Sequence, residues 1–370
     1  ELGERIKSKL EASVKVKTFH SFGLEIVDSV QEKSPNISDL LTQRKEGLDL
    51  FEEFLFRIVK DSKAHQSLIR FLKNHTVPYK DEFEDFKSLK EYKDWITSNR
   101  LITFQGEQVK SYGELIVANY LYLNGINYKY EGNYKENKGS FKGRYTPDFH
   151  LVDTNDYIEY YGIDEDGNTA SYIDKDSYTE SISWKKDIHS EHGTKLIKLF
   201  YFNLKKGNLE ESLGNQLQTL GIQKEKRIDQ DILEAAKEVQ YTSKMFNLLK
   251  TFLGHFKSNE YSVAILRSKA KGERNKLFLD IFESFYQLYQ ERLIEGKAID
   301  FDDMILQSKD IVKNNKYVHN FKYILIDEFQ DISMARFKLI EALLIQNPKT
   351  KLFCVGDDWQ SIYRFSGSDV

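Results

Sequence analysis

Carboxylates and amides crowd the ends of two short apolar runs late in the chain. Tyr323-Ile324-Leu325-Ile326 leads into Asp327-Glu328-Phe329-Gln330-Asp331, and Leu352-Phe353-Cys354-Val355 leads into Gly356-Asp357-Asp358-Trp359-Gln360. Apolar runs of this length read as strands buried on both faces. A helical stretch, Met334 to Ile345, joins them. In an open parallel sheet the C-terminal strand ends line the ligand crevice. Adjacent carboxylates there can divide the work of nucleoside triphosphate hydrolysis, one holding Mg²⁺ and the next orienting water. Asp327 and Glu328 are therefore the first candidates. The alternative is a strand-end pair that caps the following helix.

Three other groups of residues could do chemistry. Tyr363 and Phe365 are spaced i, i+2, so in an extended segment both rings face one side. Paired rings of this kind stack on the bases of a single strand, each stacked base being worth roughly 1–3 kcal/mol; packing into a core is the other use. Thr18, Phe19 and His20 stand at a predicted helix start, where a hydroxyl and an imidazole suit phosphate contact and where Thr is also an ordinary cap. Glu114 lies on a predicted helix, Ser111 to Leu123, while Asp148 and Glu159 fall 11 residues apart on two strand-like runs around a turn. Ser111-x-x-Glu114 also makes a helix capping box, a structural reason for that Glu.

These pieces in this order resemble the UvrD/Rep-like superfamily 1 DNA helicases. DEFQD followed by GDDWQSIYRFSG is similar to motifs II and III, Thr18-Phe19-His20 to the TFH motif, and Asp300-Phe301-Asp302-Asp303-Met304 to the DFDDL motif. The resemblance implies an ATP-dependent helicase that takes ATP and Mg²⁺, moves 3′ to 5′ on single-stranded DNA and unwinds duplex DNA in repair or recombination. It implies that Asp327 binds Mg²⁺ and Glu328 polarises the attacking water. Gln330 and Gln360 would contact the nucleotide, with Gln360 as γ-phosphate sensor. Thr18, Phe19, His20, Tyr363 and Phe365 would meet the DNA strand. For Asp300, Asp302 and Asp303 a direct and a structural role stand equal. Trp359 departs from the acidic or polar residue usual at its position.

In the middle of the chain, Tyr145-Thr146-Pro147-Asp148 and Ile158-Glu159-Tyr160-Tyr161, with Glu114, resemble the PD-(D/E)xK nuclease core and the extra domain of helicase IV-like proteins. In that core, acidic groups from a hairpin and a preceding helix hold Mg²⁺. The motif's lysine falls at Tyr161, so the resemblance implies the nuclease fold with at most weak cleavage, unless Lys185, Lys186 or Lys195 replaces it. His189 and His192, three apart on a predicted helix, read as a solvated face rather than metal ligands.

The rest of the chain bounds these readings. Its 370 residues are 40% hydrophobic and 30% charged with only 4 Pro, the composition of a globular chain rich in helix and large enough for two or three domains. No apolar stretch approaches the roughly 20 residues of a membrane span. A single Cys354 excludes an internal disulfide and a cysteine-based zinc site, and a reducing cytoplasm is the natural setting. The net charge of −4 gives no general pull towards DNA, so any footprint must be local. The densest basic cluster, Lys269 to Lys276, reads equally as a solvated helix face. Nothing points to a protein partner.

The expected architecture is α/β. Residues 1–30 and 297–370 would form part of a RecA-like domain 1A, and 31–100 with 223–296 a helical 1B subdomain. Residues 101–222, where Gly, Tyr and Asn become frequent and short strands appear, would be an inserted α+β restriction-endonuclease-like domain. A short strand is expected at Val14 to Phe19. Glu1 to Ile6 reads as the end of a helix under way. No G-x-x-x-x-G-K-[ST] loop occurs in the sequence, so no lysine is in place for the β/γ phosphates. The resemblance implies that this loop precedes Glu1, that a second RecA-like domain follows Val370, and that the segment alone does not hydrolyse ATP. Two rival readings are a nuclease using helicase-like parts as a DNA clamp, and a catalytically silent DNA-binding module.

Overall fold

The computed structural model describes residues 14–31, 34–38, 40–41, 44–134 and 145–357. Two compact units account for the chain: Glu1–Ser67 with Phe246–Val370, and Leu68–Met245. In chain order the first unit opens with α1 (Phe19–Asp28), β1 (Asn36–Ile37) and α2 (Arg44–Ile58), and α3 (Ser62–Asn74) leads into the second. No strand forms over residues 14–18, which are irregular up to the helix at Phe19. The Thr18 hydroxyl accepts from the Ser21 amide at 3.2 Å and caps the helix close to its expected start, while the strand expected before it does not form.

The second unit continues with α4 (Leu89–Asn99), α5 (Tyr112–Leu123), β2 (Tyr128–Tyr130), β3 (Phe149–Leu151), β4 (Asp156–Tyr161), α6 (Lys175–Glu191), β5 (Leu196–Phe200), α7 (Tyr201–Lys205), α8 (Leu209–Thr219) and α9 (Asp229–Glu238). Its sheet has the order β2-β3-β4-β5, with the first two pairings antiparallel and β4-β5 parallel. Strand alternation sorts the side chains between two cores. Phe149, Leu151, Ile158, Tyr160, Ile197 and Leu199 pack with α5 and α8 through Val117, Leu121, Leu213 and Leu217. Tyr157 faces the other way and clusters with Tyr134, Tyr145 and the α6 residues Trp184 and Ile188. At Gly113 in the first turn of α5, an added Cβ would lie 2.1 Å from the Tyr160 ring. Only glycine lets that helix sit so close to the sheet.

Returning to the first unit, the chain runs through α10 (Tyr241–Ser258), α11 (Val263–Lys269), α12 (Gly272–Glu295), β6 (Ala298–Ile299), α13 (Phe301–Lys313), β7 (Tyr323–Ile326), α14 (Met334–Gln346) and β8 (Lys351–Cys354). β7 and β8 pair in parallel, Ile326 opposite Cys354, joined by the helix expected between them. Ile326 packs with Ile26 of α1, Val312 of α13 and Leu339, Ile340 and Leu343 of α14, and Ile324 and Cys354 lean on this cluster. Contrary to the expectation of strands buried on both faces, Tyr323, Leu325 and Phe353 are 68%, 67% and 60% exposed. Helices cover one face of this two-stranded sheet. Among the described residues nothing covers the other. No helix among the described residues is long and apolar enough to cross a membrane.

Candidate functional site

Asp327 and Glu328 emerge, exposed, from the C-terminal end of β7. Glu328 takes a left-handed backbone (φ 52°), which costs a non-glycine residue on the order of 1 kcal/mol or more. The turn is held from several sides. The Glu328 amide donates to Asp327 Oδ1 at 3.1 Å, and the Phe329 amide donates to the Val355 carbonyl at 2.9 Å. Gln330 is the link between the two strand ends. Its Nε2 donates to Glu328 Oε2 at 2.5 Å while its Oε1 accepts from the Asp357 amide at 2.9 Å. Gly356 permits this approach, since a Cβ there would lie 2.6 Å from Gln330 Oε1. Gln330 itself is buried. Asp327 Oδ2 and Glu328 Oε1 accept no hydrogen bond among the described residues, so both carboxylates keep an oxygen for a metal-bound nucleotide or a water. Gln360, Tyr363 and Phe365, like Trp359, lie outside the described residues.

The Thr18-Phe19-His20 element meets the Asp300 to Asp303 element. The His20 ring packs edge-on against Phe301 with centroids 5.3 Å apart, and the Arg336 guanidinium of α14 stands 5.8 Å from the centre of the Phe19 ring. Burial, seconded by Arg336, lowers the His20 pKa, so its imidazole is neutral at pH 7 and offers hydrogen bonds rather than charge. Arg336 supplies the cation of this cluster, and sequence reasoning missed it because its partners lie on distant segments. For the Asp triplet the balance falls towards structure at two positions. Asp300 and Asp303 form a reciprocal capping box on α13 and both grip Lys257 of α10. Asp302 is raised to about 6 by burial and by its neighbour Asp300.

In the second unit Glu114, Asp148 and Glu159 draw near enough for their charges to interact, yet each is already engaged. Glu114 Oε2 accepts from Tyr130 Oη at 2.6 Å and from the Lys110 amide at 3.0 Å. The Ser111 hydroxyl caps the helix by accepting from the Glu114 amide at 3.1 Å and donates to Glu114 Oε1 at 3.0 Å. The cap forms, but the return bond of the expected capping box goes to Lys110 and not to the Ser111 amide. Asp148 Oδ2 accepts from the Tyr160 amide at 2.8 Å. Glu159, 1% exposed, accepts from Tyr145 Oη at 2.7 Å on one oxygen and pairs with Lys185 Nζ on the other. Burial, then repulsion from Glu159 and Glu114, pushes the Asp148 carboxyl well above the usual carboxylate range, and burial also raises Glu114. Among the described residues no group of three or more His, Cys, Asp or Glu side chains is gathered as a metal site.

His189 departs from the solvated helix face expected for it: it is 2% exposed. Tyr145 spends its single proton on Glu159, so it accepts from His189 Nε2 at 3.1 Å, and His189 Nδ1 must then accept from Thr194 Oγ1 at 2.7 Å. Burial, then His192 and Lys185, lowers its pKa to about 4 and keeps it neutral. His192 is exposed, as expected.

One further acid lies beside this centre. Glu82 accepts from Tyr160 Oη and Tyr92 Oη at 3.3 and 3.4 Å, and burial raises its pKa to about 7. A folded value above the ordinary 4.5 means that the native state holds this proton more tightly. Stability therefore falls as pH rises from about 4.5 to about 7, and the penalty persists above that. Glu82→Gln keeps an acceptor for both tyrosines and cannot ionise. It should stabilise the protein at pH 8 by on the order of 1–3 kcal/mol and change nothing at pH 4.5. Urea unfolding at the two pH values checks this; an equal effect at both would rule out ionisation as the cause.

The parallel β7-β8 pair with acidic strand ends, packed on α1, α13 and α14, fits the mixed α/β fold of a RecA-like domain. A sequence profile of the UvrD/REP helicase N-terminal domain matches residues 181–370, just over half of the chain, and the chain belongs to that family. It is 51% identical over 73 residues to DNA helicase IV of Escherichia coli (strain K12), covering 20% of this chain and 11% of that protein. DNA helicase II of Rickettsia typhi is 28% identical over 172 residues, covering 44% of this chain and 25% of its own. ATP-dependent DNA helicase PcrA of Staphylococcus epidermidis is 33% identical over 106 residues, covering 27% and 14%. The matched stretches thus span a quarter or less of each relative's length.

Proposed function

We propose that this chain forms part of an ATP-dependent DNA helicase that moves 3′ to 5′ along single-stranded DNA and unwinds duplex, in repair or recombination. Residues 1–30 and 297–370 are read as part of domain 1A, 31–100 and 223–296 as the helical 1B subdomain, and 101–222 as its insert. The observation that carries the reading is Gln330, which ties the catalytic-type turn after β7 to the strand end at Asp357. Bound Mg²⁺ neutralises phosphate charge, and Asp327 is the residue that would hold it. Glu328 orients the attacking water. Gln330 fixes Glu328 and passes any shift of the Gly356-Asp357 segment, which leads to Gln360, into the hydrolytic turn. Thr18, through its cap, sets the start of α1, so that Phe19, His20 and Arg336 face the strand together.

The test is ATP-dependent unwinding of a partial duplex with a 3′ single-stranded tail by the full-length protein. ATP hydrolysis without strand separation would refute the helicase reading. Tyr363→Ala with Phe365→Ala should weaken single-strand binding at least tenfold, given roughly 1–3 kcal/mol per stacked base. It should also uncouple unwinding from hydrolysis. Unchanged affinity and coupling would assign both rings to a core.

For the insert, the observation is that Asp148 and Glu159 lie side by side on the β3-β4 hairpin, with Glu114 brought up on α5. It supports a PD-(D/E)xK nuclease-like architecture used for docking on DNA. The acids as arranged do not fit a divalent metal, because Glu159 spends both oxygens on Tyr145 and Lys185. No cleavage step is therefore assigned. Robust Mg²⁺-dependent cutting of labelled DNA that Asp148→Ala abolishes would overturn the silent-docking reading.

A further inference from the structure

Replacing the expected lysine by Tyr161 leaves the hairpin without its cation, and a cation returns from another element. Lys185, on α6, lies on the sheet face that carries Glu159 and Tyr161. Its Nζ pairs with Glu159 and stands 5.6 Å from the centre of the Tyr161 ring and 5.8 Å from that of Tyr145. Two aromatic faces favour an ammonium at such distances. The Tyr161 hydroxyl is buried and makes no hydrogen bond among the described residues, so the ring serves as a platform rather than as a polar ligand.

A buried carboxylate needs an opposite charge or a set of donors. Glu159 has one of each, and neither is loose. Tyr145 is aligned by His189, which is fixed in turn by Thr194. Lys185 is confined by the two rings and retains only 23% of its side-chain exposure.

We propose that Lys185 is the resident counter-cation of the insert's acidic centre, taking with its ammonium the place beside Glu159 and Asp148 that a divalent metal ion would need. The native centre is thereby closed to metal, and the lysine is its gate. Removing it takes away the cation paired with Glu159 and leaves the acids to offset their repulsion by holding a proton or by capturing a divalent cation. The inference rests on the nuclease-like reading only for the kind of ion excluded.

The experiment is Mn²⁺ binding to the full-length, nucleotide-free protein, followed by electron paramagnetic resonance and by thermal unfolding. Wild type should show no Mn²⁺ site that Asp148→Asn removes, and its unfolding midpoint should not respond to the ion through this centre. Lys185→Met should unfold earlier, gain one Mn²⁺ that Asp148→Asn abolishes, and recover its midpoint in millimolar Mn²⁺. Lys185→Arg, which keeps the cation, should exclude the metal as wild type does, and it answers the question should the Met variant not fold. An Asp148-dependent Mn²⁺ site in wild type or in Lys185→Arg would overturn the proposal while strengthening the nuclease-like reading. A folded Lys185→Met that gains no Asp148-dependent site would overturn it too, without bearing on DNA docking.

Discussion

Glu328→Gln in the full-length protein should cut steady-state ATP turnover by roughly 10²–10⁴-fold, the range set by loss of a positioned general base, while ATP still binds. The substitution is close to isosteric. Glu328 Oε2 now accepts from Gln330 Nε2, and the carbonyl oxygen of a glutamine can accept the same bond. The left-handed turn, the strand pairing and the Gln330 bridge to Asp357 should therefore survive. Only the negative charge proposed to orient and deprotonate water would disappear, and Asp327, one residue earlier, would stay as the proposed metal-side carboxylate. Turnover and binding of a fluorescent ATP analogue, measured side by side, separate the two roles. Hydrolysis within a few-fold of wild type would sink the water-orienting assignment. Loss of binding would move Glu328 from the water to the nucleotide.

How far the sequence discloses this chain depends on how local the cause is. Ser111 caps a helix as its position predicts, though without the return bond of a full capping box, and the strand-like runs around Asp148 and Glu159 do form a hairpin. Such features are written in a few adjacent residues. The partners were less legible. Lys185 stands 26 residues from Glu159 and was one of three lysines that could replace the missing one, with nothing local to choose among them. Lys257 stands 43 from Asp300, and nothing in the local pattern marks it as the matching cation. His189 lies in the last turn of α6 and His192 is its C-cap, and Tyr145 and Thr194 engage only the first, which is buried. The strand expected at Val14 to Phe19 failed for another reason: Thr18 caps a helix that already begins at Phe19, and this outweighed a run of alternating valines and lysines. The exposed face of β7 and β8 was misread because an apolar run looks the same whether one or both of its faces are covered.

Lys257→Met should destabilise the full-length protein by about 3–5 kcal/mol, the usual loss when one partner of a buried ion cluster is removed. Lys257 is 3% exposed, and its ammonium contacts Asp300 at 2.5 Å and Asp303 at 2.6 Å. Tyr289 Oη donates to the same Asp300 oxygen at 2.7 Å. Burial alone would lower the Lys257 pKa, but the two carboxylates hold it above its ordinary value. Burial would likewise raise Asp300, and Lys257 holds that carboxyl down. Methionine fills a similar volume, so the loss should come from two stranded carboxylates rather than from a cavity. That distinction has its own control. Asn caps a helix as well as Asp does, so Lys257→Met combined with Asp300→Asn and Asp303→Asn removes the whole charge set and leaves α13 capped. The triple variant should regain most of the lost stability in urea unfolding. If the single variant costs under about 1 kcal/mol, or if the triple variant is weaker still, the cluster is not what holds α10 against the start of α13, and the Asp residues of this motif must be sought at the nucleic acid instead.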